Sequence, residues 1–216
     1  MTPARWERLA PLSGIVAALL WIIGTIIAES TNLSDKDRPE EVLAVFQADG
    51  NTIVAGGIVF VFGVAFFIWF LGSLRATLFA AEGGVGRLSA IAYGSGMLAA
   101  LTLIFQVAPD VQAGFDNDDL SPDAAQALQE VGEAAFGGTE FTLLPMFLAI
   151  GLLILRTRVL GAWLGWVSLA TALLLAIVPI GWAGVVFVFP LWTIVTSVVL
   201  FLRGAQAVVP PPAAAP

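Results

Sequence analysis

The sequence predicts an all-α protein, a polytopic membrane helix bundle with six transmembrane helices and two short external amphipathic helices. Three observations lead there. Of 216 residues, 59% are hydrophobic and 12% charged, with a mean hydropathy of +0.95; a soluble domain carries about twice that charged share. The apolar residues gather into six runs close to the roughly 20 residues a helix needs to cross the hydrocarbon core. The polar gaps between the runs alternate between basic and acidic. Backbone groups cannot go unpaired in hydrocarbon, so runs of this kind are helices.

In chain order the expected spans are 11–28, 53–71, 88–108, 141–155, 160–178 and 182–202. The first has a basic flank, but its apolar stretch exceeds the usual signal-peptide core of about 7–15 residues, so it is read as an uncleaved span. The gap after it predicts a short helix. Pro39 suits the first helical position, Glu40 and Glu41 suit the positive end of the dipole, and Gly50 suits the stop. Val42, Leu43, Val45 and Phe46 form its apolar stripe. The gap after the third span predicts a second helix, opened by Ser121-Pro122-Asp123 as cap, first turn and dipole partner. Its expected stripe is Ala124, Leu128, Val131 and Ala135, with Gln126, Gln129, Glu130 and Glu133 on the surface. Gly137-Gly138 is expected to break that helix, and Thr139 to cap the short fourth span. Residues 1–206 thus read as a single six-span domain, and 207–216 as a Pro/Ala tail without structure.

Charge sets the orientation. Arg5, Arg8, Arg75, Arg87, Arg156, Arg158 and Arg203 fall on one side, with Glu7 and Glu82 as the acids there. The opposite side receives Lys36 and Arg38 against fourteen carboxylates. The positive-inside rule then puts both termini in the cytoplasm of a plasma (inner) membrane. Usage rich in Ala, Gly, Val and Arg, with the single lysine Lys36, points to a GC-rich bacterial genome.

Composition removes several function classes. There is no cysteine and no histidine, which excludes disulfides, thiolate nucleophiles, histidine bases, histidine-ligated haem and Cys/His zinc sites. Asp116-Asn117-Asp118-Asp119 fails the calcium-loop pattern, because Ser121 stands at the glycine position and Ala127 at the closing glutamate. The net charge of −7 and the lack of a basic patch exclude nucleic acid. No catalytic, cofactor-binding or metal-ligating residues are assigned; a third reading, a membrane-embedded enzyme, would use Asp110, Glu140 and the cluster of Asp116, Asp118 and Asp119 on the external side to hold a metal by carboxylates alone.

What remains is neutral polarity inside the spans. Thr102 and Gln106 share a helical face in the third span with Ser95, and Tyr93 lies beside it. Thr193, Thr196 and Ser197 share a face of the sixth. Gly161, Gly165, Ser168, Thr171 and Ala172 form a small-residue strip in the fifth, with Gly161-x-x-x-Gly165 as a close-packing motif. Together with Glu140, the carboxylate at the head of the fourth span, this gives a candidate polar pocket of Tyr93, Thr102, Gln106, Glu140, Thr193 and Ser197.

Two segments carry a resemblance. Arg156-Thr157-Arg158-Val159-Leu160-Gly161-Ala162-Trp163-Leu164-Gly165-Trp166 and Phe189-Pro190-Leu191-Trp192-Thr193-Ile194-Val195-Thr196-Ser197 resemble the late spans of bacterial membrane proteins of the DUF4386 family, a domain of unknown function. The entry Arg8-Leu9-Ala10 to Gly14 is similar too. The resemblance implies a multi-pass membrane fold and supplies no catalytic residues. The leading expectation is therefore an integral membrane protein acting as a structural or partner-binding bundle without catalytic chemistry, its partners the lipid bilayer and a second copy or another membrane protein. The alternative is a small-molecule or lipid transporter or binding protein that uses a polar face of spans 3, 5 and 6.

Overall fold

Every regular element among the described residues, 8–206 of this computed structural model, is helical. The readings made on Arg5, Glu7 and the 207–216 tail lie outside those residues. After a 3-10 turn at Ala10–Leu12 come α1 (Ser13–Glu29), a second 3-10 turn (Leu33–Asp35), α2 (Pro39–Glu82), α3 (Arg87–Phe115) and α4 (Pro122–Thr157). Then follow α5 (Ala162–Leu175), α6 (Val178–Ala183), a π-helical turn (Gly184–Val188) and α7 (Phe189–Gln206).

Five stretches are long and apolar enough to cross a membrane: Ala10–Glu29, α2, α3, α4 and Val178–Arg203. The chain is therefore a multi-pass membrane helix bundle. α5 has 14 residues, about 21 Å of helix, shorter than the 160–178 read from the sequence. The shortening has a local cause. Arg158 (φ +58°) and Gly161 (φ +88°) make the turn that precedes α5, and Pro179 in the first turn of α6 starts a new helix at its other end. Gly161 consequently stands outside the helix. The close approach belongs instead to Gly165 and Gly151 of α4, where a Cβ on Gly151 would lie 3.0 Å from the Gly165 carbonyl oxygen.

The two external amphipathic helices are not separate elements. α2 runs unbroken for 44 residues and α4 for 36, about 66 and 54 Å, well beyond a hydrocarbon core of about 30 Å. Gly50 does not stop α2, because it is a packing contact. A Cβ there would lie 2.8 Å from the Gly114 oxygen on α3, and one on Gly114 would lie 2.8 Å from the Gly50 oxygen. Gly137-Gly138 likewise sits inside α4, and Thr139 donates to the Ala135 carbonyl one turn back instead of capping. The starts are as expected. Pro39 opens α2 and Ser121 Oγ caps α4 by accepting from Ala124 N at 3.3 Å.

Beyond the membrane-length core, the extensions of α2 and α4 share a small core of their own. Leu33, Val42, Phe46, Ile53, Ala113 and Ala125 are buried there together. The buried face of the α4 extension runs through Ala125, Gln129 and Gly132, one residue on from the expected stripe, and Val131 is half exposed. Gln129 is not a surface residue: its side-chain amide donates to the Leu33 and Lys36 carbonyls at 3.1 and 3.4 Å and holds the 30–38 segment down. At the opposite end, Glu82 caps the neighbouring helix, its carboxylate accepting from Leu88 N and Ser89 N at 2.7 and 2.8 Å.

An aromatic cluster of Trp21, Phe60, Phe67, Phe147, Phe189 and Trp192 joins α1, α2, α4 and α7. Trp21 lies 5.2 Å from Phe67 and 5.0 Å from Phe189, Phe67 meets Phe189 edge-on at 5.2 Å, and Phe147 meets Trp192 at 4.9 Å. Such edge and offset pairs contribute about 0.5–1.5 kcal/mol beyond their buried area. The chain enters and leaves the bundle at one end: Arg8 stacks over the Phe201 ring and Arg203 donates to the Val159 carbonyl.

Candidate functional site

Above the aromatic cluster, toward the carboxylate-bearing end, the helices diverge around a cavity of about 920 Å³. That is at the upper end of the roughly 300–1,000 Å³ of small-molecule sites. Trp21, Phe60 and Phe189 of the cluster form its floor. Its walls are the acidic-end halves of α1, α2, α3, α4 and α7, and Leu33 and Ser34 of the pinned 30–38 segment also line it. The lining is mainly aliphatic and aromatic.

Backbone chemistry sets the walls. α1 and α2 close tightly on one side through Gly24 and Gly56: a Cβ at Gly24 would lie 2.7 Å from the Gly56 carbonyl oxygen. α3 and α4 close on another through Gly132, whose Cβ would lie 2.7 Å from the Gln106 carbonyl oxygen. α1 and α7 close only nearer the arginine end, where Gly14 faces Ser197. At the acidic end the π-helical turn lies beside that gap. Pro190 has no N–H for the Val186 carbonyl, and its ring crowds that oxygen, which accounts for the widened turn just before it. Val186, Phe187 and Leu191 on this side and Ile22 and Ile26 of α1 on the other line the cavity, and all five are exposed. The cavity therefore reaches the apolar flank of the bundle between α1 and α7.

Its polar lining comes from Thr25 and Glu29 on α1, Ser34 in the 30–38 segment, Gln106 and Asp110 on α3, and Gln129 and Glu133 on α4. Gln106 and Asp110 are one turn apart on α3, and Gly132 and Glu133 face them from α4. Gln106 Oε1 and Asp110 Oδ1 are out of contact with solvent and have no hydrogen-bond partner among the described residues. Glu29 stands at the end of α1. No lysine or arginine lines the space. Trp21 Nε1 is also without a partner, but it lies over Gly63, below the floor.

Of the six polar residues singled out in the sequence, only Gln106 lines this cavity. Thr102 belongs to a hydroxyl cluster at the α3–α4 contact, its Oγ1 2.9 Å from Thr139 Oγ1. Thr193 and Ser197 turn their hydroxyls back to the Phe189 and Thr193 carbonyls, each at 2.8 Å, and are buried in helix packing. Tyr93 is at the arginine end, under the Arg75 guanidinium at 5.2 Å. Glu140 is buried against the α5–α6 corner, where a Cβ on Gly181 would collide with its carboxylate. The α5 strip packs rather than lines a pocket, with Ser168 Oγ accepting from Trp192 Nε1 at 3.0 Å. The sequence does not point to Trp21 or the α1 wall. It shows Asp110 as a carboxylate at the external end of the third span, able in principle to hold a metal with others, but does not join it to Gln106 one turn away.

Among the described residues no group of three or more carboxylates converges in a way that would hold a metal ion. No family model, curated protein or solved structure matches the chain.

Proposed function

We propose that this chain is a membrane-embedded binding protein for a single amphiphilic molecule, taken from the bilayer through the gap between α1 and α7. The cavity carries this reading: about 920 Å³ and apolar on most of its wall, with the carboxylates Glu29, Asp110 and Glu133 in its lining. A bundle with a purely structural role would fill this space with side chains, as it does around Phe67, Phe147 and Leu153, all fully buried. The reading replaces the polar face of spans 3, 5 and 6 with a site between α1, α2, α3, α4 and α7. By the positive-inside rule the arginine end lies in the cytoplasm and the cavity in the outer half of a bacterial plasma membrane. The likeness of the late spans to the DUF4386 family is kept as part of this proposal.

The cysteine-free chain gives a clean test. In nanodiscs, Val107→Cys on the cavity wall should react with N-ethylmaleimide, and a saturating long-chain alcohol should slow the reaction. Leu153→Cys, in the packed core, should be inert under both conditions. Equal inertness of the two cysteines in folded protein would contradict the proposal.

A further inference from the structure

We infer that the amphiphile bound here is a phosphate-free cationic amine, a protonated amino group on an apolar body; the inference rests on the cavity reading above. It comes from the chemistry of the polar corner. Gln106 and Asp110 line the cavity one helical turn apart, and Gln106 Oε1 and Asp110 Oδ1 have no hydrogen-bond partner among the described residues. Both atoms are covered, so a ligand's donors meet them once the side chains turn toward the cavity. A buried acceptor left without a donor is destabilising, so the site is complementary to a ligand that brings donors. Glu133 faces the same corner from α4 and Glu29 stands at the end of α1, both lining the cavity. Three carboxylates with no lysine or arginine on the wall favour a positive charge. An ammonium group supplies three N–H donors and that charge together.

The same set disfavours a phospholipid headgroup. A phosphate would enter beside Asp110 and Glu133 with no cation in the lining to meet it. The floor of Trp21, Phe60 and Phe189 accepts an aliphatic or aromatic body and places it below the amine. Gly132 keeps the corner compact by letting the α4 backbone approach Gln106. The open flank between Ile26 and Phe187, both exposed, gives an amine dissolved in the outer leaflet a route that does not cross water.

The test uses the full chain in nanodiscs of phosphatidylcholine with two photoreactive probes of equal length, a diazirine-bearing alkylamine and the matching alcohol. Labelled peptides are located by mass spectrometry, and affinities are read by competition with the unlabelled compounds. The amine should label the cavity walls and bind at least about tenfold more tightly than the alcohol (about 1.4 kcal/mol). Asp110→Asn should remove most of that preference while leaving alcohol binding in place. Glu133→Gln, on a more exposed position, should reduce the preference without disturbing the fold, so a misfolded Asp110 variant does not end the test. Cavity labelling by both probes with equal affinity, unchanged in either variant, would overturn the amine inference and leave the cavity reading standing. Labelling of neither would overturn both. Displacement of the amine probe by ethanolamine phospholipid more effectively than by free alkylamine would overturn the phosphate-free assignment.

Discussion

Ser168 and Trp192 carry one of the few hydrogen bonds between side chains of different helices in the core. Both are almost fully buried, and Trp192 Nε1 donates to Ser168 Oγ at 3.0 Å while Ser168 donates to the Leu164 carbonyl. Ser168→Ala leaves the indole N–H bare in a dry core, which costs about 1–3 kcal/mol. The bond itself is worth less, about 0.6 kcal/mol on average between membrane helices. A double-mutant cycle with Trp192→Phe, measured by unfolding in mixed micelles, should therefore return a coupling of that smaller size, with the single Ser168→Ala variant the more damaging. A coupling of zero would mean the two groups do not meet. At this scale the sequence told residue type better than residue partner. The strip containing Ser168 and Thr171 was readable as buried, because small and hydroxyl residues recur at helical spacing. Gln129 was not, because a glutamine among glutamates on an external helix reads as solvated until the Leu33 and Lys36 carbonyls are seen beside it.

Between elements, packing depends on where backbones touch. Gly24 of α1 meets Gly56 of α2 with no room for a Cβ, the obstructing atoms being the Gly56 oxygen and the Phe60 nitrogen at 2.7 and 2.8 Å. Backbone cannot yield as a side chain can, so Gly24→Ala must push α1 away from α2, at about 1–3 kcal/mol. Gly94 of α3 is exposed, with nothing within 4 Å of its missing Cβ, so Gly94→Ala should be neutral or gain up to about 1 kcal/mol from helix propensity. Thermal unfolding of the two variants in the same detergent checks this, and an equal effect would contradict the α1–α2 contact. The starts of the external helices were legible from Pro39 and Ser121, whose roles are local. Their ends were not. Gly50 and Gly137-Gly138 look like stops in one dimension, but Gly50 is held helical by Gly114, which lies 64 positions away in the chain. The one-residue error in the α4 stripe has the same origin: apolarity pointed to Val131, whereas the backbone approach at Gly132 decides which face is buried.

For the molecule as a whole, the alternation of charge and apolar runs carried most of the fold. It predicted an all-helical bundle whose chain enters and leaves at one end, and Arg8 over Phe201 and Arg203 at Val159 place both ends of the described chain together. The cavity was not legible, because no run of residues encodes it. It exists where five elements diverge above the Trp21–Phe67–Phe189 cluster and where Pro190 widens the last span. The central claim, that this space holds one amphiphile, is tested most directly by native mass spectrometry of the protein released from its own membranes in a mild detergent. The account predicts a one-to-one adduct with the native chain, lost in a Val107→Trp variant that fills the cavity but keeps the same folded charge-state distribution. Bare protein in both samples, or an adduct equally abundant in both, would contradict it.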